Sequence, residues 1–456
     1  MKRFVWTGLM MLTLALVAAQ CGAAVSNSTD SEANQPAPAL AQEAEATDTP
    51  APTATVPEAE AASATPPPTE TAPSAEDSHA AVCTDPFAGQ SVQFSAEVWT
   101  AARLAGYAGA DIVDPDSGLA TDFCQHSVDY SEIISGGPPP DGIPPLDNPT
   151  FDSIAVGDEW LADVQPVIAL AVGDEAKAYP LGILTRHEIA NDEIAGIPVA
   201  VTFCPLCNAG IVFKREVNGE VLRFGVSGNL RNSDLVMWDN KTLSWWQQFT
   251  GTAIVGELTG TQLEIIPAQM VAWKDFKAAY PNGQVLSNNG RDYNVNPYTG
   301  YDSTDDPFLF FDTPDPRLFA TERVLGYFAG DTAVAYPLRV IAEEKIIEDT
   351  VDGQDVVIFY EPGQVSALDD RAIDESKEVG SAGMFVPRVE GQALTFSYKD
   401  GRITDNETGS QWDVFGRAVA GELSGQQLEP VISHTHFWFA WAAFRPDTSV
   451  YEATVQ

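Results

Sequence analysis

Positive charge is the scarcest commodity in this 456-residue chain: 24 Lys and Arg stand against 65 Asp and Glu, a formal net charge of −41. Phosphate backbones and anionic lipid surfaces would be repelled, which excludes nucleic acid as a partner. Histidine and cysteine are also few, five of each. There is no G-x-S-x-G, no H-E-x-x-H (His187-Glu188 lacks the second histidine), no phosphate-cradling glycine loop and no dinucleotide fingerprint. Those absences remove the common hydrolases, zincins and nucleotide enzymes. Long apolar runs are missing too, with one exception.

That exception, Val5 to Ala19, follows Lys2 and Arg3 and precedes Cys21. It is short for a spanning helix and reads as an export signal occupying residues 1–21. A lipoprotein signal would be cut before Cys21, leaving that cysteine lipidated. Ala18 and Ala19 suit this, Gln20 does not, and an ordinary signal peptidase could use Val17 to Ala19 instead. Residues 22–80 are rich in Ala, Pro, Thr, Ser and Glu and almost free of aromatics. They cannot bury enough apolar area to offset the entropy of ordering, so they read as a disordered, extended tether. The expectation is an extracytoplasmic body whose lipid makes the membrane its partner.

In an oxidising compartment the remaining cysteines should pair. Cys204 and Cys207 are neighbours, which leaves Cys83 to bridge Cys124. Such a bridge closes a long loop and would contribute about 4 kcal/mol in the chain-entropy view. Residues 81–151 read as a helical subdomain, with SAEVWTAARLAGYAGAD at helical spacing and Cys124 in the first helical stretch, followed by a Pro/Gly-rich run at 135–151. That run cannot be helix or central strand and is expected to be an extended loop wrapped around something.

The rest of the chain repeats itself. GDEAKAYPL at 173–181 recurs as GDTAVAYPL at 330–338, an offset of 157 residues. DNKTLSWW at 239–246 recurs as DNETGSQW at 405–412, and GELTGTQLE at 256–264 as GELSGQQLE at 421–429. The stretch VAWKDFKAAYP, ending at Pro281, answers HFWFAWAAFRP, ending at Pro446. Order is kept and offsets drift only as loop insertions would make them, so 152–292 and 318–456 read as copies joined by a linker at 293–317. PVIALAV, AYPLGIL, PVAVTF, AGIVFKREV and DLVMWD read as short strands, and Asn218-Gly219 as a tight hairpin turn. The fold class expected is α+β: two tandem homologous domains dominated by antiparallel β-sheet, each with a covering helix near its C-terminal end.

One copy serves as a control for the other. At an offset of 157, Phe203 meets Tyr360 and the strand survives, but Cys204 meets Glu361, Cys207 meets Gln364 and His187 meets Glu344. The first copy is therefore the chemically specialised one. Two thiols in Cys204-Pro205-Leu206-Cys207 can close a small disulfide ring, with His187 as base or pKa-lowering neighbour. The alternatives are a copper or zinc site built from Cys204, Cys207, His187 and a carboxylate or Met237, or an inert staple in a surface scaffold. No resident cofactor is needed for the redox reading, whose partner would be a redox protein or a small-molecule substrate. The segment Ser227 to Asp234 (SGNLRNSD) concentrates polar groups, and Arg231 with Ser227, Asn232, Ser233 and Asp234 could hold an anionic substrate or simply form a turn. Trp238, Trp245 and Trp246 could stack on a ligand or fill the core, and His434 and His436 read as capping or surface residues.

The stretches SGGPPPDGIPPLDNPTF, AYPLGILTRHEIAND, PVAVTFCPLCNAG, FGVSGNLRNSDLVMWDNKTLSWWQQ and FWFAWAAFRPDT together resemble the DUF3179 family from about residue 130 to the end. The resemblance carries His187, Glu188, Asn191, Asp192, Cys204, Cys207, Ser227, Arg231, Asn232, Ser233 and Asp234, without departure. It implies no established activity. Some relatives are described as selenoproteins, and a selenocysteine at the C-P-L-C position would favour redox chemistry over a staple.

Overall fold

Short runs of Val, Ile, Ala and Phe bounded by Gly, Asn or Asp turns make this chain a predominantly antiparallel β protein. The computed structural model describes residues 121–453. The signal segment, Cys21, the tether, Cys83 and the helix expected at 95–111 lie outside the described residues. No helix among the described residues is long and apolar enough to cross a membrane.

The longer elements of the first half are β1 (Pro166–Val172), β2 (Glu175–Pro180), α1 (Leu181–His187), β3 (Ile189–Ile194), β4 (Ile197–Cys204), β5 (Ala209–Lys214), β6 (Phe224–Arg231), β7 (Asp234–Asp239), β8 (Trp245–Gln247), β9 (Thr252–Val255), β10 (Gln269–Ala272) and α2 (Trp273–Ala279). Those of the second are β11 (Arg323–Ala329), β12 (Thr332–Pro337), α3 (Leu338–Glu344), β13 (Ile346–Val351), β14 (Gln354–Glu361), β15 (Ser381–Val386), β16 (Phe396–Lys399), β17 (Arg402–Asp405), β18 (Gln411–Trp412), β19 (Ala418–Ala420), β20 (Ser433–Phe437) and α4 (Trp438–Phe444). The first half orders its sheets β10-β1-β2, β5-β4-β3 and β6-β7-β8-β9. The second orders them β20-β11-β12, β15-β14-β13 and β16-β17-β18-β19.

Local chemistry recurs with the strand order. Trp246 Nε1 donates to Asp239 Oδ2 at 2.9 Å, and Trp412 Nε1 to Asp405 Oδ2 at 3.0 Å. The hydroxyls of Thr242 and Thr408 donate to the same two aspartates. Each aspartate closes the turn that launches its tryptophan strand, which is why D-N-x-T-x-S-x-W keeps its spacing. Asn218 and Gly219, both with positive φ, turn the small hairpin pairing Val217 with Glu220.

The Pro/Gly-rich stretch is more structured than a wrapping loop. It and its flanks add one edge strand to each sheet of the first half: Ile133–Ser135 beside β6, Leu146–Asp147 beside β3, and Phe151–Ser153 beside Gln284–Leu286, which itself pairs with β2. Proline is tolerated because the strands are short and lie at edges. Cys124 lies in a turn rather than a helix, its N–H donating to Asp122 Oδ1 at 3.0 Å, and it is disulfide-bonded.

Other elements differ from expectation for physical reasons. AYPLGIL is not one strand, since the chain turns at Pro180 into α1. Leu181, Gly182, Ile183, Leu184, Thr185 and His187 are all buried, so no polar face betrays the helical period. The C-terminal helices are shorter than the sequence suggests, because Met270 to Ala272 and His436 to Phe437 are strand. Two apolar clusters belong to the second half alone, but the halves also share a core. One apolar cluster runs from Ile168, Phe203 and Trp246 to Phe437, Trp438 and Ala440. The linker at 293–317 is packed rather than passive: Gln165 Nε2 donates to Asn294 Oδ1 at 2.7 Å, and Phe310 meets Phe439 edge-on at 5.1 Å.

Candidate functional site

β4 ends at Cys204, and β5 starts at Ala209, its ladder partner. The four residues between close a hairpin in which the Asn208 N–H donates to Pro205 O at 3.2 Å and Asn208 takes a φ of 48°. The C-P-L-C motif is therefore a β-hairpin turn and not the start of a helix. The Cys204 thiol donates to Ser233 O at 3.8 Å. Cys204 is 2% exposed and Cys207 fully buried, both as free thiols.

Two carboxyls share this enclosure. Asn232 and Ser233, with φ of 52° and 63°, make the tight turn that starts β7 and delivers Asp234. Asp234 Oδ2 accepts from Gln247 Nε2 at 2.6 Å and from the Phe249 N–H at 2.9 Å, while Oδ1 has no N–H or O–H donor. A carboxylate oxygen of Asp234 and the two sulfurs all lie within 4.8 Å of one another. Glu188 caps α1 with a φ of 57°, and its carbonyl accepts the Phe203 N–H at 2.8 Å, one residue from Cys204. Lys345 repeats that conformation in the second half with a φ of 65°, its carbonyl accepting the Tyr360 N–H at 3.1 Å. Lys345 Nζ lies over the Tyr360 ring. The unusual cap is thus scaffold in both halves, and only the half with cysteines places a carboxyl on it.

Burial dominates the electrostatics. It pushes the Cys204 thiol up and the Cys207 thiol well up, and the charges of Asp234 and, for Cys204, Glu188 push in the same direction. Burial raises Asp234 to about 7. Glu188 rises to about 8 through burial and the neighbouring Asp234. The expected imidazole-stabilised thiolate is not what surrounds these sulfurs.

His187 is the principal correction. Its Nδ1 lies 2.7 Å from Pro144 O and its Nε2 3.1 Å from the Tyr293 hydroxyl, so both ring nitrogens are engaged away from the thiols. It sits in the last turn of α1 facing the N-terminal arm, and burial lowers its pKa. The group that could hold a metal among the described residues is Cys204, Cys207 and Asp234, without His187 or the core residue Met237. Arg231 is not free to clamp a substrate. Its Nη2 pairs with Glu132 at 2.6 Å and its Nη1 donates to Gln247 at 3.4 Å. Ser227 Oγ accepts the Asn229 N–H at 3.0 Å within a bulge of β6, Asn232 is a turn residue, and Ser233 Oγ donates to Phe308 O at 2.6 Å. Of the five residues expected at a substrate, Asp234 reaches the cysteines by its side chain and Ser233 by its carbonyl.

The chain matches the family model described as "Protein of unknown function (DUF3179)" over residues 140–448. It belongs to the DUF3179 family. Neither a curated protein nor a solved structure matches it. The matched span of this DUF3179 chain includes the whole thiol–carboxyl cluster and nearly all of both halves.

Aromatics line the DUF3179 site without offering a stacking platform. Trp238, Trp245 and Trp246 are fully buried core residues. His434 and His436 are neither caps nor surface residues. They lie side by side on β20, buried, with His436 between Phe249 at 4.4 Å and Trp441 at 5.6 Å. Burial pushes His434 down to about 4. Above the turn, Tyr301 Oη donates to Leu206 O at 3.0 Å, and the Phe437 N–H donates to Cys207 O at 2.9 Å. Glu188 could have been found from sequence, because the offset that turns Cys204 into Glu361 turns Glu188 into Lys345. Asp234 carries no such signal.

Proposed function

We propose that this protein is a thiol–disulfide or peroxide-type oxidoreductase in which Cys204 attacks, Cys207 resolves and Asp234 handles the proton. The observation that carries the reading is the mutual approach of two thiols and a buried carboxyl within 4.8 Å. A base held near 7 is matched to proton transfer at neutral pH, which thiols pushed upward by burial require. Cys204 is the better nucleophile because burial pushes its thiol up less than that of Cys207, and it is the one with residual exposure. The Cys204 thiolate attacks one sulfur of a disulfide R–S–S–R and expels R–S⁻. Cys207 passes its proton to Asp234, attacks Cys204 Sγ and expels the second R–S⁻. Two electrons leave the pair, which ends as an internal disulfide. With a hydroperoxide R'OOH, the first attack breaks the O–O bond, gives a sulfenic acid on Cys204 and expels R'O⁻, which leaves as the alcohol. Attack by Cys207 then forms the disulfide and expels hydroxide, which takes a proton and leaves as water.

A metal-binding or delivery role is the second reading, favoured by the same three donors. Two soft thiolates and a carboxylate suit zinc, or copper by softness, with Asp234 as the carboxylate of the expected ligand set and His187 absent from it. We infer further that the halves are copies of one domain, each with a helix over a sheet near its end. The recurrent strand orders and the paired Asp–Trp bonds support that. An extracytoplasmic, lipid-anchored location rests on the N-terminal sequence, with a redox protein or small molecule as partner.

The test is differential alkylation of Cys204 and Cys207 across glutathione buffers, on protein purified without reductant or chelator, with elemental analysis of the same sample. A metal-free pair titrating well above about −300 mV supports the oxidoreductase, and one that stays oxidised far below makes it a staple. Stoichiometric metal lost in Cys204→Ser supports the second reading.

A further inference from the structure

We propose that the joining segment at 293–317 and the second half together clamp the C-P-L-C turn, with Tyr301, Asp302 and Arg323 as positioning residues. The proposal rests on the reading that this turn is the working site. Both carbonyls at the end of the motif are taken by groups outside the first half: Leu206 O by the Tyr301 hydroxyl at 3.0 Å, and Cys207 O by the Phe437 N–H at 2.9 Å. These two groups are tied to each other. Phe437 is the ladder partner of Arg323, whose guanidinium lies over its ring. Arg323 Nη1 pairs with Asp302 Oδ2 at 3.1 Å, and Asp302 is the chain neighbour of Tyr301. Ser366 Oγ donates to Asp302 Oδ2 at 2.6 Å and accepts from Arg323 Nη2 at 2.8 Å, and Lys377 pairs with Asp302 Oδ1 at 2.9 Å. The contacts close a ring from Leu206 through Tyr301, Asp302, Arg323 and Phe437 back to Cys207.

The Arg323–Phe437 side of the ring is specific to the second half. β11 occupies the place of β1 at an offset of 157, and Arg323 stands where the first half has Pro166. Its partner Phe437 stands where the first half pairs Pro166 with Ala272. A buried Arg–Asp pair is costly to desolvate and is a weak device for stability alone. Fixing a turn on which two sulfurs must meet gives it a use, because small displacements of reacting groups cost large factors in rate. The clamp also accounts for a half that keeps the scaffold while lacking the cysteines.

The experiment measures two quantities on the full folded body: the oxidation equilibrium of the Cys204–Cys207 pair in glutathione buffers, and the alkylation rate of the reduced thiols. Tyr301→Phe deletes one hydrogen bond and should fold. It is expected to disfavour oxidation about tenfold and speed alkylation about tenfold, the worth of one buried hydrogen bond. Arg323→Met should do at least as much, and Arg323→Lys, which keeps the charge, should restore most of the difference. Asp405→Asn, which weakens the distant turn before Trp412, is the control for general loosening. The clamp is overturned if Tyr301→Phe and Arg323→Met fold and leave both quantities at the parent values, or if Asp405→Asn moves them equally. A parent pair that never cycles in glutathione sinks the oxidoreductase reading instead, and the alkylation arm still decides the clamp.

Discussion

Raising the pH from 5 to 9 is expected to destabilise the reduced protein by several kcal/mol, and Asp234→Asn to remove much of that dependence. Asp234 is raised from 3.8 to about 7 in the folded state by burial, against the pull of Gln247 and the Phe249 N–H. An acid whose folded pKa lies above its unfolded one binds more protons when folded, so its contribution is whole below pH 4 and is lost as pH rises through 7. For Asp234 alone, roughly three units correspond to a loss on the order of 4 kcal/mol. Glu188, raised from 4.5 to about 8 and partly by Asp234 itself, carries the same sign and extends the loss toward pH 9. The thiols, pushed up by burial, continue it at higher pH.

Urea unfolding at pH 5, 7 and 9, with reductant and chelator present, reads this directly. Asp234→Asn should lie nearest the parent at pH 5 and exceed it most at pH 9. Glu188→Gln should flatten the upper part of the curve. A parent slope that survives intact in Asp234→Asn would mean that the carboxyl is not titrating inside the enclosure. Repeating the series with zinc separates the two functional readings. A metal held by Cys204, Cys207 and Asp234 would stabilise the ionised cluster and reverse the slope.

The features legible in the sequence are those that depend on near neighbours. The Asp–Trp bond spans seven residues, so D-N-x-T-x-S-x-W marks both halves by its spacing alone. The hairpin at Asn218-Gly219 is equally local. α1 is hidden from a pattern reading because a two-turn helix buried nearly all round presents no polar face. The site is half legible for a similar reason. Cys204 and Cys207 stand out because the other half lacks them, but Asp234 lies thirty residues further on and reaches them only through the packing of β7 against the β4–β5 hairpin. His187, much nearer in sequence, is turned away by the carbonyl of Pro144 and the hydroxyl of Tyr293. Sequence separation is a poor guide where three sheets meet, and the joining segment at 293–317 looks like a passive linker for the same reason.

Asp141→Ala is expected to cost about 3–5 kcal/mol, the range for stranding one member of a buried ion pair. Asp141 comes from the Pro/Gly-rich arm with its side chain 2% exposed, and it holds Arg223 Nη1 at 2.7 Å. It also accepts from Trp238 Nε1 at 3.0 Å and from the Val226 N–H at 2.9 Å, while its own N–H donates to Val226 O. Removing it orphans an indole and a backbone amide and leaves a guanidinium only 12% exposed with Asp147 as its remaining carboxylate. Asp147 touches the same Arg223 at 3.1 Å but is 38% exposed, so Asp147→Ala should cost under about 1 kcal/mol. Urea unfolding of the two variants makes the comparison, and equal losses would refute the burial argument. The contrast bears on the site as well. Val226 and Arg223 flank the start of β6, and β6 leads through the Asn232-Ser233 turn to Asp234. An arm released at Asp141 therefore loosens the strand pair that carries the proton acceptor, and Asp141→Ala should speed thiol alkylation where Asp147→Ala does not.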